Sequence, residues 1–96
     1  MVVIDNPNDY ILTRFEKSNT EYKKYDAILL NKSSGRFKRI PFGDKRYQQY
    51  KDSTGLNLYS HLNHLDKKRR DRYRLRHRGE NNRKFSSGWF SWYFLW

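Results

Sequence analysis

Ninety-six residues with a mass of 11.9 kDa make one domain at most. Hydrophobic residues supply 35% and charged residues 32%, short of the roughly 45–50% apolar content of ordinary globular domains, so the core must be small, while the 18% of aromatic residues argues against disorder. Twenty-one Lys and Arg against ten Asp and Glu leave a net charge of +11, which points to an anionic partner, and the lack of cysteine excludes disulfides, thiolate metal sites and a cysteine nucleophile.

Residues 1–20 read as an extended N-terminal arm. Two apolar bursts, Val2-Val3-Ile4 and Tyr10-Ile11-Leu12, flank Asp5-Asn6-Pro7-Asn8-Asp9, a stretch of turn formers. Neither the basic start nor the apolar core of a secretory signal is seen at Met1 to Asp5. Residues 21–96 read as a small basic α+β domain. Within it, residues 22–30 predict a strand with Tyr25, Ala27 and Leu29 on one side and Lys24, Asp26, Ile28 and Leu30 on the other. Asn31-Lys32-Ser33-Ser34-Gly35 predicts a turn, and residues 36–41 the return strand of a β-hairpin, with Phe37 and Ile40 on opposite faces and an end at Pro41, which cannot donate to a ladder. Phe42-Gly43-Asp44 then predicts a turn into a short helix capped by Asp44, carrying Tyr47 and Tyr50. Residues 55–64 are ambiguous, although Leu58, Leu62 and Leu65 have helical spacing.

Asp66 predicts the N-cap of a helix over residues 67–78, and Gly79 its stop. The large uncharged side chains of that helix are Tyr73, Leu75 and His77, so most of its circumference must face water or an anion. In the aromatic C-terminal segment, Trp89, Trp92, Tyr93 and Trp96 align at i, i+3, i+4 and i+7. They predict a hydrophobic anchor that turns at Gly88 back onto Phe37 or Tyr25. The expected fold is thus a small single α+β domain, a hairpin packed with short helices.

The positive charge is concentrated. Lys67, Lys68, Arg69, Arg70, Arg72, Arg74, Arg76, Arg78, Arg83 and Lys84 face only Asp71 and Glu80 in the same stretch, a net +8 over residues 67–84. These ten residues form the expected anion-binding set, because Lys and Arg displace counterions from phosphates and Arg grips phosphate or carboxylate in bidentate fashion. Nucleic acid, an acidic protein face and a phosphoinositide head group all satisfy that chemistry. The aromatic tail reads as core or as a strip buried against a partner, with a base-stacking platform as the alternative. His61, His64 and Asp66 have metal-like spacing, but no fourth ligand is evident and His77 is thirteen residues away, so no metal or cofactor is expected. No serine elbow, phosphate loop or paired carboxylate appears, so no catalytic residue is assigned. The longest strongly apolar run, residues 88–96, is far short of the roughly 20 residues that span a bilayer.

A Phe-Gly turn, a His-x-Asp-x-x-Arg-x-x-Arg-Tyr-x-x-Arg-His segment and a Gly-x-x-Ser-x-x-x-Leu-Trp close together resemble a family of short basic proteins of unknown function encoded by nucleocytoplasmic large DNA viruses. Here these are Phe42 and Gly43, then His64, Asp66, Arg69, Arg72, Tyr73, Arg76 and His77, then Gly88, Ser91, Leu95 and Trp96. The resemblance spans residues 25–96 and implies a viral origin without a known catalytic activity. The expected function is that of a non-enzymatic structural protein, a minor capsid or cement-type virion component. It would lodge against larger capsid or virion proteins, and be found in the virion and, during assembly, in the host cytoplasm or viral factory. The alternative is a nucleic-acid-binding protein that condenses or escorts the viral DNA genome.

Overall fold

The computed structural model describes Ile4 and residues 6–96; Val2, Val3 and Asp5 of the expected arm lie outside the described residues. Three antiparallel strands, β1 (Tyr10–Lys17), β2 (Lys23–Asn31) and β3 (Phe37–Asp44), form a meander in the order β1-β2-β3. Two helices follow, α1 (Lys67–Arg76) and α2 (Ser87–Phe94), so the chain is a small α+β domain. None of the described helices is long and apolar enough to cross a membrane.

The hairpin of β2 and β3 follows the alternation of the sequence. Tyr25, Ala27 and Leu29 are buried on the core face, with Ile40 opposite Ala27 and Phe42 opposite Tyr25. Phe37 falls on the exposed part of β3, at 61% exposure. The strand does not stop at Pro41, as the sequence led one to expect, but runs on to Asp44. Pro41 pairs with Asp26, and because β3 is an edge strand its missing N–H leaves no gap in the ladder.

The stretch read as an extended arm contains β1, which pairs along β2 from Tyr10↔Asn31 to Lys17↔Tyr25. Its register shifts between Leu12 and Arg14, and the intervening Thr13 hydroxyl donates to the Ile28 carbonyl at 2.8 Å. That bulge resets the alternation, so that Phe15 rather than Arg14 joins Tyr10 and Leu12 against the core. On the opposite face Ile28 lies between its register partners Arg14 and Arg39. Arg39 there bridges Glu16 at 2.8 Å and Asp26 at 3.5 Å.

The helix expected after Asp44 is absent. Phe42 is fully buried as the last core residue of β3, and Gly43 takes a φ of +74°, where an added Cβ would stand 2.8 Å from Leu95 Cδ1. The Asp44 carboxylate turns the chain by accepting the Arg46 N–H at 2.9 Å. The segment from there to Asp66 has little regular structure beyond one 3-10 turn at Ser60–Leu62, so the Leu58, Leu62, Leu65 spacing does not produce an α-helix. Polar bonds hold it instead. Buried Gln49 donates from its side-chain amide to the Tyr59 carbonyl and to Asn63 Oδ1, each at 2.8 Å, and the Asp52 N–H reaches the same Asn63 oxygen at 2.8 Å. Buried Tyr25 gives its hydroxyl proton to Asp52 and accepts the Leu58 N–H at 3.0 Å. The Lys51 and Ser53 N–H groups cap the end of α2 by donating to the Leu95 and Phe94 carbonyls at 3.0 and 2.8 Å.

Ser86 caps α2 by accepting the Trp89 N–H. The helix lies across the sheet through Phe90, which is fully buried among Phe15, Phe42 and Phe85, with Phe94 and Leu95 beside it. Burial of each such side chain is worth about 1.5–3 kcal/mol, a large share for a core this small.

Candidate polyanion-binding face and cleft

Helix α1 begins as its sequence dictates. The Asp66 carboxylate accepts the N–H groups of Lys68 and Arg69 at 2.9 and 3.3 Å, and these bonds, Arg69's foremost, hold it below the ordinary carboxylate range. The α-helix ends at Arg76, two residues before expectation, and Gly79 follows with a φ of +95°. No residue of α1 is buried, so packing of an apolar stripe cannot be what fixes it. Rings do that work. Tyr73 is stacked between His77, at 4.2 Å, and Trp96, at 4.3 Å and nearly parallel, and Trp96 in turn meets His64 at 5.2 Å. Burial raises the Tyr73 hydroxyl well above its ordinary value. The guanidinium of Arg70 lies 4.8 Å from the Tyr50 ring and that of Arg74 5.3 Å from the Trp92 ring, and Arg74 also donates to the Trp96 carbonyl at 3.0 Å.

These contacts divide the expected anion-binding residues into two sets. Arg70 and Arg74 are half-buried and serve to attach the helix. Lys67, Lys68, Arg69, Arg72, Arg76, Arg78, Arg83 and Lys84 are exposed, and among the described residues none of them forms a salt bridge with a carboxylate. Arg69 donates to Gln48 at 2.8 Å, and Lys84 lies over Phe85 at 5.0 Å. The carboxylates are spent elsewhere: Glu16 takes Arg14 and Arg39, and Asp44 takes Arg46. Of the acids near α1, Asp71 touches only Arg70, at 3.7 Å, and Glu80 faces His77, at 3.2 Å. Arg14 and Arg39 of the sheet are thus ion-paired, whereas the exposed cations of α1 and of the segment after it have no salt bridge among the described residues.

The tail forms a helix but turns a different face inward than its i, i+3, i+4, i+7 stripe suggested. Phe90 and Leu95 are buried, whereas Trp89, Trp92 and Trp96 are half-buried and Tyr93 is 50% exposed. Trp89 packs edge-on against Phe90 and Phe85, and Trp96 serves the Tyr73 stack rather than the core. The tail therefore settles on Phe42 and Phe15, not on Phe37.

Between α1, the end of α2 and the open end of the hairpin lies a cleft of about 480 Å³. Lys23, Lys24, Arg69 and Arg76 line it together with Asp44, Tyr47, Tyr73, His77 and Trp96. Lys24, only 1% exposed, is the most buried of these cations, and its ammonium donates to the Tyr47 carbonyl at 2.9 Å and to the Gln49 side chain. Burial pushes this lysine down to about 8, with Asp44 and Asp52 opposing the shift. Lys24 and Gln49 carry no functional signal in the sequence, since a lysine within a strand of alternating character reads as solvent-facing, and Asp44 and Tyr47 stand out there only as parts of an expected helix.

His61, His64 and His77 are not brought together as ligands. The Nδ1 of His64 accepts the Asp66 N–H at 2.9 Å, and burial and then Arg69 lower its pKa. Among the described residues no group of three or more His, Cys, Asp or Glu stands in metal-binding proximity. No family model, no curated protein and no solved structure matches this chain.

Proposed function

We propose that this is a non-enzymatic interaction protein that docks the exposed cations of α1 and the segment after it onto a polyanion, and that its partner is nucleic acid. The observation that carries this reading is the clustering of unpaired charge: Arg14, Arg39 and Arg46 are ion-paired, while seven of the ten basic residues in this stretch form neither a salt bridge nor a cation–ring contact among the described residues once Arg70, Arg74 and Lys84 are set aside. A surface of free Lys and Arg supplies the counterion-release term that dominates non-specific nucleic-acid affinity. The viral setting follows from the resemblance of residues 25–96, so the DNA in question would be the genome that the protein condenses or escorts.

A minor capsid or cement-type role in the virion is the second reading. The half-exposed edge of α2 at Trp92 and Tyr93 favours it, as does the exposed Leu75 on the otherwise charged α1, because a larger subunit could cover both.

Fluorescence anisotropy with mixed-sequence duplex DNA over a range of salt concentrations tests the first reading. Contact with about five phosphates gives a log-log slope of about −4 to −5. Replacing Lys67, Lys68 and Arg72 together with Gln should flatten it by about 2–3. An unchanged slope rejects α1 as the contact face. No measurable binding at low salt, with copurification on capsid shells emptied of DNA, would transfer the function to the second reading.

A further inference from the structure

The cleft beside α1 differs from the rest of the basic face in being concave and in having a buried lysine, Lys24, in its lining. Lys23, Lys24, Arg69 and Arg76 converge on it. Its carboxylate, Asp44, is already occupied: Arg46 approaches its two oxygens at 3.0 and 2.8 Å and holds it down to about 2. Asp52, which faces Lys24 from behind, accepts from Tyr25 and from the Thr54 hydroxyl. The Lys24 ammonium has three protons to donate. Tyr47 and Gln49 receive two, and no described residue accepts the third.

A cluster of four cations, one of them an incompletely satisfied buried ammonium, is built for a compact dianion. A phosphodiester backbone carries one charge per phosphate and tracks along open grooves. A phosphate monoester carries about −1.5 to −2 at neutral pH and has three acceptor oxygens, and as a chain end it can enter a concave cleft. The volume lies within the roughly 300–1,000 Å³ of small-ligand sites. Tyr47, 65% exposed at the rim, presents a ring beside which the adjoining base can stack.

We infer that this cleft is a phosphate-monoester site, lined by the buried Lys24 and by Lys23, Arg69 and Arg76, that receives the 5′-phosphate of a nucleotide at a strand end or free in solution. The inference rests on the polyanion reading of α1 and adds to it a preference for ends over continuous backbone.

The test compares two short single-stranded oligonucleotides of one sequence, labelled at the 3′ end, one with a 5′-phosphate and one with a 5′-hydroxyl, with adenosine 5′-monophosphate as a separate titrant. The phosphorylated strand should bind about tenfold or more tightly, the effect of one added charge-assisted contact. Lys24→Met and Arg76→Gln should each remove that difference. Arg76 is exposed, so its variant keeps the test decisive if Lys24→Met fails to fold. Binding of the monophosphate that Arg76→Gln weakens, without preference between the strands, assigns the cleft to free nucleotides and still supports the phosphate monoester. Equal affinity for the two strands, a retained steep salt slope and no binding of the monophosphate would overturn the cleft assignment and leave the α1 reading standing. Loss of all three would overturn both.

Discussion

The substitution that most directly tests the packing of the tail is Phe90→Ala, set against Trp92→Ala. Phe90 is wholly buried, stacked on Phe42 at 5.4 Å and on Phe85 at 5.8 Å, and edge-on to Phe15 at 6.1 Å. Removing such a ring costs about 3–5 kcal/mol, transfer and cavity terms together. A domain of this length has roughly 5–15 kcal/mol in all, and each kcal/mol moves the melting midpoint by about 4–8 °C, so a fall of about 15 °C or outright unfolding is expected. Trp92 is larger but only half-buried. Its specific partner is the Arg74 guanidinium at 5.3 Å, a contact worth about 0.5–1 kcal/mol at an exposed site. Its removal should therefore cost well under half as much. Urea unfolding followed by far-UV circular dichroism gives both values on one scale. Equal losses, or a larger loss for Trp92→Ala, would show that the tryptophan stripe faces the sheet and that the orientation of α2 described above is wrong.

Lys24 makes stability depend on pH in an unusual direction. An unfolded lysine holds its proton to about pH 10.5 while the folded one releases it near 8. The unfolded state thus binds more protons between those values, and stability should rise with pH through that window. The Tyr25 hydroxyl, pushed up to about 12 by burial, acts in the opposite sense, but only above pH 10. Urea midpoints from pH 7 to 10 should climb for the wild type relative to Lys24→Met, and parallel curves would refute the burial of a charged lysine. Gly43→Ala should destabilise by about 1–3 kcal/mol, because a positive φ is forced on an L-residue and its Cβ meets Leu95 at 2.8 Å; a neutral urea midpoint would refute that close approach.

What the sequence made legible was what its signals encode locally. The β2 alternation, the Asn31 to Gly35 turn and the Asp66 cap of α1 each depend on residues within a few positions, and each holds, whereas the α-helix ends at Arg76, before the stop expected at Gly79. β1 escaped because its bulge at Thr13 breaks the alternation by which a strand is recognised. The segment after Gly43 escaped for another reason. Its order comes from Gln49, Asp52 and Asn63 reaching Lys24, Tyr25 and Tyr59, pairings far apart in the chain and invisible to any window. In the tail, periodicity had no contrast to work with. From Trp89 to Trp96 every position but Ser91 is large and apolar, so the sheet, not the pattern, chose Phe90 and Leu95 for burial. The basic set was legible as a composition, but which members attach the helix and which remain free was set by the positions of Tyr50 and Trp92.

Helix α1 itself works against folding. At ten residues it is shorter than the roughly 12–15 at which isolated helices become even marginal. It buries no residue, and it repeats like charges four apart at Lys68 and Arg72, Arg70 and Arg74, and Arg72 and Arg76. Each such pair costs about 0.2–0.5 kcal/mol. If stability were the only demand, an acid at position 72 would be preferable, since it would convert two repulsive pairs into attractive ones. Arg72→Glu should accordingly stabilise the free protein by about 1 kcal/mol at low salt, read as a midpoint shift in urea that shrinks as salt is added. The same variant should bind duplex DNA more weakly than the wild type, because it replaces an exposed cation on the proposed contact face with a repelling anion. Opposite changes in stability and affinity from one surface substitution would mean that the charge on α1 is retained for binding at a cost to the fold. A variant that lost stability, or that gained it while binding DNA as tightly as before, would break that link.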